Sequence, residues 1–383
     1  MAMRERVAVV GLGYVGLPLA VAFARRIGIE APVIGFDIDD DRVRALTRGE
    51  DRTGEIASDE LRALVASGAI AFYGQPECLR KATAIIATIP TPITDAKAPD
   101  LTLIEEAAVT IGSHLAHGAL VVLESTVYPG VTEQVFAARI ATVARRTVGS
   151  DWFVGYSPER INPGDRTHTI DRVVKVVSGM DAATLDRVAA LYERICTAGV
   201  HRASSIAVAE AAKVFENTQR DLGIAAVNEL ALICHRIGIS VHDVLAAART
   251  KWNFVPYVPG LVGGHCIGVD PYYLAHLAQA HGYHPDVILA GRRVNDAMPL
   301  HVADLLLEGL VEAGKVVKGS RVLVLGLTFK ANVPDTRNSK VADIIARLRR
   351  FQIDVVAHDP LLEAGKMDHE FHVTNLLSLA NAG

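Results

Sequence analysis

A chain of 383 residues, half of them hydrophobic, is long enough for two or three domains with substantial cores. Its formal net charge of −4, with no dense Lys/Arg block, gives no electrostatic footprint for nucleic acid. No uncharged apolar run is long enough to span a bilayer, and the run at Val7 meets glycine too soon for a signal-peptide core, so the expected location is the cytoplasm.

The first element is the apolar run Val7–Val10, followed by Gly11-Leu12-Gly13-Tyr14-Val15-Gly16 and then a helical pattern. Glycines at this spacing also serve ordinary turns, but a strand before them and a helix after them read as a dinucleotide-binding turn. The first two glycines let backbone approach a pyrophosphate at a helix N-terminus. Asp37, closing the next strand at 33–36, suits a pair of ribose hydroxyls and repels a 2′-phosphate, which favours NAD over NADP. Arg42 works against that preference, since an arginine can clamp phosphate. Further buried strands are expected at 84–89, 119–123 and 152–155, with helical patterns between most of them. Strand and helix in alternation imply a doubly wound parallel sheet, with ligand chemistry beyond the carboxyl ends of the strands. The segments Thr88–Pro92 and Glu124–Gly130 fall there, and Tyr156–Gly164 follows the last strand with Glu159 on a loop. Alone, Glu159 reads as a solvated loop acid; beside a thioester it becomes a base for water.

From about Ala203 to Ile237 the pattern is one long helix. Glu210, Lys213, Asn217, Arg220 or Asp221, Ile224 and Asn228 recur at three- and four-residue steps, so Lys213 and Asn217 project from one face. The surrounding Ile206, Val208, Val214, Phe215, Leu222, Val227 and Leu230 predict a largely buried helix, in which a cation and an amide need partners. Beyond it, Gly263-Gly264-His265-Cys266-Ile267-Gly268-Val269-Asp270 sets one thiol on a glycine-rich loop, four residues before a carboxylate. A thiol beside a nicotinamide can trap an aldehyde as a thiohemiacetal, lose a second hydride and release an acid from the thioester, a four-electron oxidation. Cys78, Cys196 and Cys234 have no CxxC spacing and read as core filler. Two adjacent ligands, His265 and Cys266, point apart, so no metal is expected with Asp270. Strands at 321–326 and 353–357 flank a helix at 341–350, a second βαβ unit without a full glycine fingerprint, suited to a nucleotide-type ligand or a subunit contact.

Gly11–Gly16, Glu124-Ser-Thr-Val-Tyr-Pro-Gly130, Ala209-Glu-Ala-Ala-Lys213 with Asn217, Gly263–Asp270, and Gly326-Leu-Thr-Phe-Lys330 with Asp335-Thr-Arg337 occur in one order along the chain. Together they resemble the UDP-glucose/GDP-mannose dehydrogenase family over nearly the whole length. The resemblance implies two Rossmann-like parallel-sheet domains joined by a long central helix and a helical dimerisation region. The expected limits are 1–200 for NAD, 201–300 for the central helical part and 315–383 for the UDP-sugar. It implies that Cys266 is the nucleophile, that Lys213 and Asn217 polarise the reacting oxygen, and that Asp270 assists proton transfer. Glu159 is implied in thioester hydrolysis, and Thr126 lies near the nicotinamide and the water. Cofactor contacts are implied for Gly11, Gly13, Tyr14, Val15, Gly16, Asp37, Arg42, Thr91, Ser125, Thr126 and Arg337. Sugar-nucleotide contacts are implied for Glu159, Arg160, Ile161, Lys213, Asn217, Tyr257, Gly260, Gly263, Gly264, Phe329 and Lys330.

Pro163 stands where the UDP-glucose branch has a second glutamate, and His265 where it has serine. With Thr250-Lys-Trp-Asn-Phe254, these variants are similar to the branch acting on UDP-N-acetylhexosamines, so the expected substrate is UDP-N-acetylglucosamine, with the galacto epimer next. UDP-glucose or UDP-N-acetylmannosamine oxidation, an inactive nucleotide-sugar-binding protein, and a two-electron hydroxyacid dehydrogenase are the competing readings. Family members continue beyond His358-Asp359-Pro360 for several elements, whereas this sequence stops at Gly383, so a small second sheet with an exposed edge is expected.

Overall fold

The computed structural model describes residues 5–94, 96–161, 167, 169–363, 371–376 and 378. They divide into two units, one of residues up to Phe215 together with Tyr272–Leu277, the other of Glu216–Pro271 and the residues from Ala278 onward.

In the first unit, β1 (Val7–Val10), β2 (Val33–Phe36), β4 (Ala84–Ala87) and β5 (Leu120–Leu123) are buried at every position. Their side chains alternate between two cores. Val7, Val9, Ile86 and Val122 join Phe23 and Tyr192 on one face, while Ala8, Val10, Ile85 and Val121 join Phe136 and Trp152 on the other. Helices cover both faces, which is why these strands read as unbroken apolar runs. With β3 (Ile70–Tyr73), β6 (Phe153–Tyr156), β7 (Lys175–Gly179) and β8 (Val200–Arg202), they form an eight-stranded sheet in the order β3-β2-β1-β4-β5-β6-β7-β8. Pairing is parallel except where β7 meets β6. The order reverses between β1 and β4, the switch point at which such sheets hold ligands. Sequence periodicity does not foretell β3, β7 or β8. The run expected at 84–89 ends as a strand at Ala87, and Thr88 turns its hydroxyl to the Val10 and Gly11 carbonyls.

The second unit contains a two-stranded parallel sheet of β9 (Arg321–Leu325) and β10 (Asp354–His358), backed by α11 (Val341–Arg350). Ile345, Leu348, Val355, Ala357 and Phe371 form its core. Its first turn repeats the geometry of the N-terminal one: Gly326 N–H donates to the His358 carbonyl (2.9 Å) as Gly11 N–H does to Phe36 (2.8 Å). Asp359 accepts from Leu327 N–H as Asp37 accepts from Leu12 N–H, both at 2.7 Å. Asp359, however, is buried and also takes the Thr328 and Leu361 N–H groups, which leaves it no role toward a second ribose.

The long helix α7 spans Ile206–Ile237. Its polar stripe is buried, Glu210, Asn217, Asp221 and Asn228 each at 7% exposure or less. Val208 and Phe215 depart from the expectation of burial, at 49% and 57% exposed. The stripe turned inward is the polar one, so these two apolar residues fall on the opposite side of the helix.

Candidate active site

Close approach builds the N-terminal turn. Gly11 adopts φ +88°, and a Cβ on Gly16 would lie 1.8 Å from the Gly11 carbonyl oxygen and 2.4 Å from Thr88 Oγ1. Gly13 is the opposite case, since a Cβ there meets nothing within 4 Å. Tyr14 and Val15 lead into α1 (Gly16–Ile27), which begins with neither a side-chain cap nor an acidic residue in its first turn. An open glycine ahead of the positive end of a helix fits a pyrophosphate. Asp37 is half-buried and accepts from Leu12 N–H through Oδ2 and from Asp39 N–H through Oδ1, with lone pairs to spare for ribose hydroxyls. The residues present therefore fit NAD.

Arg42 departs from the expectation of a cofactor contact. Its side chain is 2% exposed, Nε donates to the Leu12 carbonyl (2.9 Å), and Nη1 pairs with buried Asp51 (2.8 Å). It braces the glycine turn from the protein side and is not available to a 2′-phosphate. Ser125 is buried too, its Oγ accepting the Ile89 N–H at 2.8 Å, while the neighbouring Thr126 is half-buried. The Thr91 carbonyl is held by Tyr273 Oη at 2.6 Å.

Glu159 is no solvated loop acid. At 8% exposure its Oε1 accepts the N–H groups of Arg160 and Ile161, each at 2.6 Å, and its Oε2 lies 3.2 Å from Lys175 Nζ. Burial works to raise its pKa, but the charge of Lys175, those two N–H groups and the charge of Lys213 outweigh burial and hold it below the ordinary carboxylate value. Lys175 Nζ also donates to Glu124 Oε2 at 2.9 Å, and Tyr192 Oη donates to the other Glu124 oxygen. Burial pushes Glu124 up to about 7. Lys175 and Tyr192 have no signal in sequence, being 51 and 68 residues from Glu124. Arg160 donates to the Val174 carbonyl (2.9 Å), and Ile161 packs against the sheet core. Pro163, where the family branches differ, lies outside the described residues. Lys213 is half-buried on α7.

In the second unit, Cys266 is half-buried, whereas Cys78, Cys196 and Cys234 are buried and none of the four is in a disulfide. Burial lifts the Cys78 and Cys196 thiols to about 11, as inert core residues require. The Cys266 carbonyl accepts the N–H groups of Val269 (3.0 Å) and Asp270 (2.8 Å), a tight turn that leads into α9 (Asp270–Ala280). Asp270 is 2% exposed and accepts from Asn217 Nδ2 at 2.5 Å, so the two predicted site residues flanking the thiol loop form one buried pair. The preceding glycines are explained by contact: a Cβ on Gly263 would meet the Asn338 carbonyl at 2.7 Å, and Gly264, at φ +78°, would meet the Phe329 ring at the same distance. Phe329 also meets His265 edge to face at 5.8 Å, and the half-buried Lys330 follows it. Gly260 is clamped by the Asn228 amide through both its N–H (2.8 Å) and its carbonyl (3.0 Å), and Asn228 reaches Asn295. The Tyr257 ring packs on Gly223, where a Cβ would lie 2.3 Å from it. Arg337 is held by Asp335 through Nε (3.0 Å) and Nη2 (2.5 Å).

Residues 5–196 match the NAD binding domain of the UDP-glucose/GDP-mannose dehydrogenase family, 207–297 its central domain and 323–382 its UDP binding domain. The chain belongs to the UDP-glucose/GDP-mannose dehydrogenase family. It is 50% identical to the UDP-N-acetyl-D-glucosamine 6-dehydrogenase of Pseudomonas aeruginosa, over 96% of this chain and 86% of that one. Identity to the protein of the same name from Salmonella typhi is 46%, over 96% and 85%. The solved UDP-D-ManNAc dehydrogenase of Pyrococcus horikoshii is 31% identical and superposes with a TM-score of 0.86, over 94% of this chain and 84% of that one. Family membership makes the chain an NAD-dependent dehydrogenase with a Rossmann-like fold.

Proposed function

We propose that the chain oxidises C6 of UDP-N-acetylglucosamine to the uronic acid through an acyl adduct on Cys266. Supporting the sugar is the identity gap, 50% and 46% to two UDP-N-acetyl-D-glucosamine 6-dehydrogenases against 32% to a UDP-N-acetyl-D-mannosamine dehydrogenase. The observation that carries the covalent route is Cys266 itself, half-buried on a glycine loop that ends in the buried Asn217–Asp270 pair, while the other three thiols are packed away.

NAD, when bound, supplies the hydride acceptor for both oxidations. Gly11, Gly13 and the start of α1 would hold its pyrophosphate, and Asp37 the adenosine ribose. A water held by Asp270 takes the C6 hydroxyl proton, and the Lys213 ammonium stabilises the oxyanion. Cys266 Sγ adds to the aldehyde carbon as a thiolate, and Asp270, oriented by Asn217, manages the thiol proton. The thioester left after the second oxidation is opened by water whose proton passes to Glu159, and the C–S bond pair returns to sulfur. The sum is alcohol, water and two NAD giving carboxylate, two NADH and three protons.

Residues 1–200 are assigned to NAD, 201–300 to subunit pairing as a homodimer and 315–383 to the UDP moiety, in a cytoplasmic enzyme making precursors of surface polysaccharide. Exposed Val208, Phe215, Ile233 and Ile237 on α7 support the pairing. Replacing Cys266 with alanine tests the route: uronate should vanish while the folded protein still binds UDP-N-acetylglucosamine, and undiminished uronate output would reject the covalent step.

A further inference from the structure

Lys175 opens β7 and is 2% exposed, with its ammonium shared between the carboxylates of Glu124 (2.9 Å) and Glu159 (3.2 Å) and placed 5.3 Å from the centre of the Tyr192 ring. The Glu159 carboxylate is thus fixed by three donors from two elements: the Lys175 ammonium on one oxygen, the Arg160 and Ile161 N–H groups on the other. One buried cation against two buried acids leaves a charge deficit, which the charge of half-buried Lys213 offsets at Glu159. The acids do not share it equally, since Glu124 is pushed up to about 7 by burial while Glu159 stays below its ordinary value despite burial. A buried ion triad is an expensive way to fill space, because well-packed apolar residues of the same volume serve stability at least as well.

We propose that Lys175 is a positioning residue for Glu159, bridging it to Glu124 so that the Glu159 carboxylate is held in one orientation, ionised, for the hydrolytic half of the reaction. The proposal rests on the acyl-Cys266 reading above. In that step the water oxygen bonds the acyl carbon, its proton goes to Glu159, and the C–S bond breaks with its electron pair leaving on Cys266. No electron leaves the reacting groups. A Glu159 that is already protonated cannot accept that proton, so the acid limb of kcat reports its ionisation. Lys175 and Glu124 then differ in what they do along that limb. Removing the cation raises the pKa of Glu159 and moves the acid limb to higher pH, whereas Glu124, pushed up to about 7, is already protonated along that limb and brings no charge to it.

The test compares Lys175→Met, Lys175→Gln and Lys175→Arg in the full chain with UDP-N-acetylglucosamine and NAD. For Lys175→Met the expected result is a retained burst of two NADH per active site, a steady-state rate down about tenfold or more, an intact-mass adduct on Cys266, and an acid limb displaced upward. Lys175→Arg should recover most of the hydrolytic rate. A folded Lys175→Met protein with the parent's kcat–pH profile overturns the proposal, as does one that loses burst and steady-state rate together without an adduct. Where Lys175→Met does not fold, Lys175→Gln decides, because it keeps an N–H donor beside the carboxylates without the charge: an upward shift supports the bridge and an unmoved limb overturns it. Parent enzyme yielding one NADH per sugar would instead defeat the acyl-enzyme reading, an outcome separable from any result on Lys175.

Discussion

Gly13 and Gly16 stand three residues apart in the same turn, and the structure gives them different reasons for lacking a side chain. At Gly16 a methyl would be 1.8 Å from the Gly11 carbonyl oxygen and 2.4 Å from Thr88 Oγ1. Carbon and oxygen normally approach no closer than about 3.3 Å, so the turn or α1 must move by more than about 1 Å, and the obstacle is backbone that no rotamer change can clear. Overpacking of this kind costs roughly 1–3 kcal/mol, and the same displacement at a ligand cradle costs on the order of a hundredfold in turnover. At Gly13 a methyl meets no protein atom within 4 Å, and the backbone there is not left-handed. Gly13→Ala should therefore keep or slightly raise Tm, by narrowing the unfolded ensemble, while occupying room that the pyrophosphate needs. The assay is thermal unfolding without ligand alongside NAD titration by calorimetry. Gly16→Ala should lower Tm and weaken NAD; Gly13→Ala should weaken NAD alone. Parent-like NAD affinity in Gly13→Ala would refute the placement of the pyrophosphate, and an unchanged Tm in Gly16→Ala would refute the packing argument.

Asp37→Asn should narrow the preference for NAD over NADP, read as the ratio of kcat/KM values, whereas Arg42→Met should leave that ratio alone and lower Tm, because buried Asp51 loses its cation, a loss of roughly 3–5 kcal/mol. Asn217→Leu should cut NADH formation by about a hundredfold or more and destabilise the second unit by roughly 1–3 kcal/mol, since buried Asp270 loses its donor; equal activity in a stopped-flow assay would remove Asn217 from the site. Glu210 accepts the Gly130 and Thr132 N–H groups, yet burial lifts its carboxyl from 4.5 to about 7. An unfolded chain therefore releases this proton first, and stability falls as pH rises from about 4.5 to about 7, by roughly 3 kcal/mol from this group. Glu210→Gln should accordingly improve against the parent by about that amount over the same window in denaturant titrations.

Much of the first unit was legible because its central strands are short, apolar and buried on both faces, and because glycine spacing records a close approach of backbones. Strand β7 was not, since it opens with Lys175, a residue whose burial depends on carboxylates contributed by distant segments. Strand β8 spans only Val200–Arg202, with two exposed positions that leave no apolar period to read. The polar stripe of α7 was visible as a pattern, but its partners Arg292 and Asn295 lie more than seventy residues away and could not be paired with Asp221 by spacing. Arg42 misled for the reverse reason: an arginine after an acidic strand end reads as a phosphate clamp, whereas in the folded protein Asp51 and the Leu12 carbonyl already hold it.

The most direct measurement of the whole account is the number of NADH molecules formed per UDP-N-acetylglucosamine consumed to completion, followed at the NADH absorbance band with the product identified by mass. Oxidation through an acyl-Cys266 intermediate predicts two NADH and the uronic acid, without aldehyde released to solution. One NADH per sugar, with aldehyde accumulating, would contradict it.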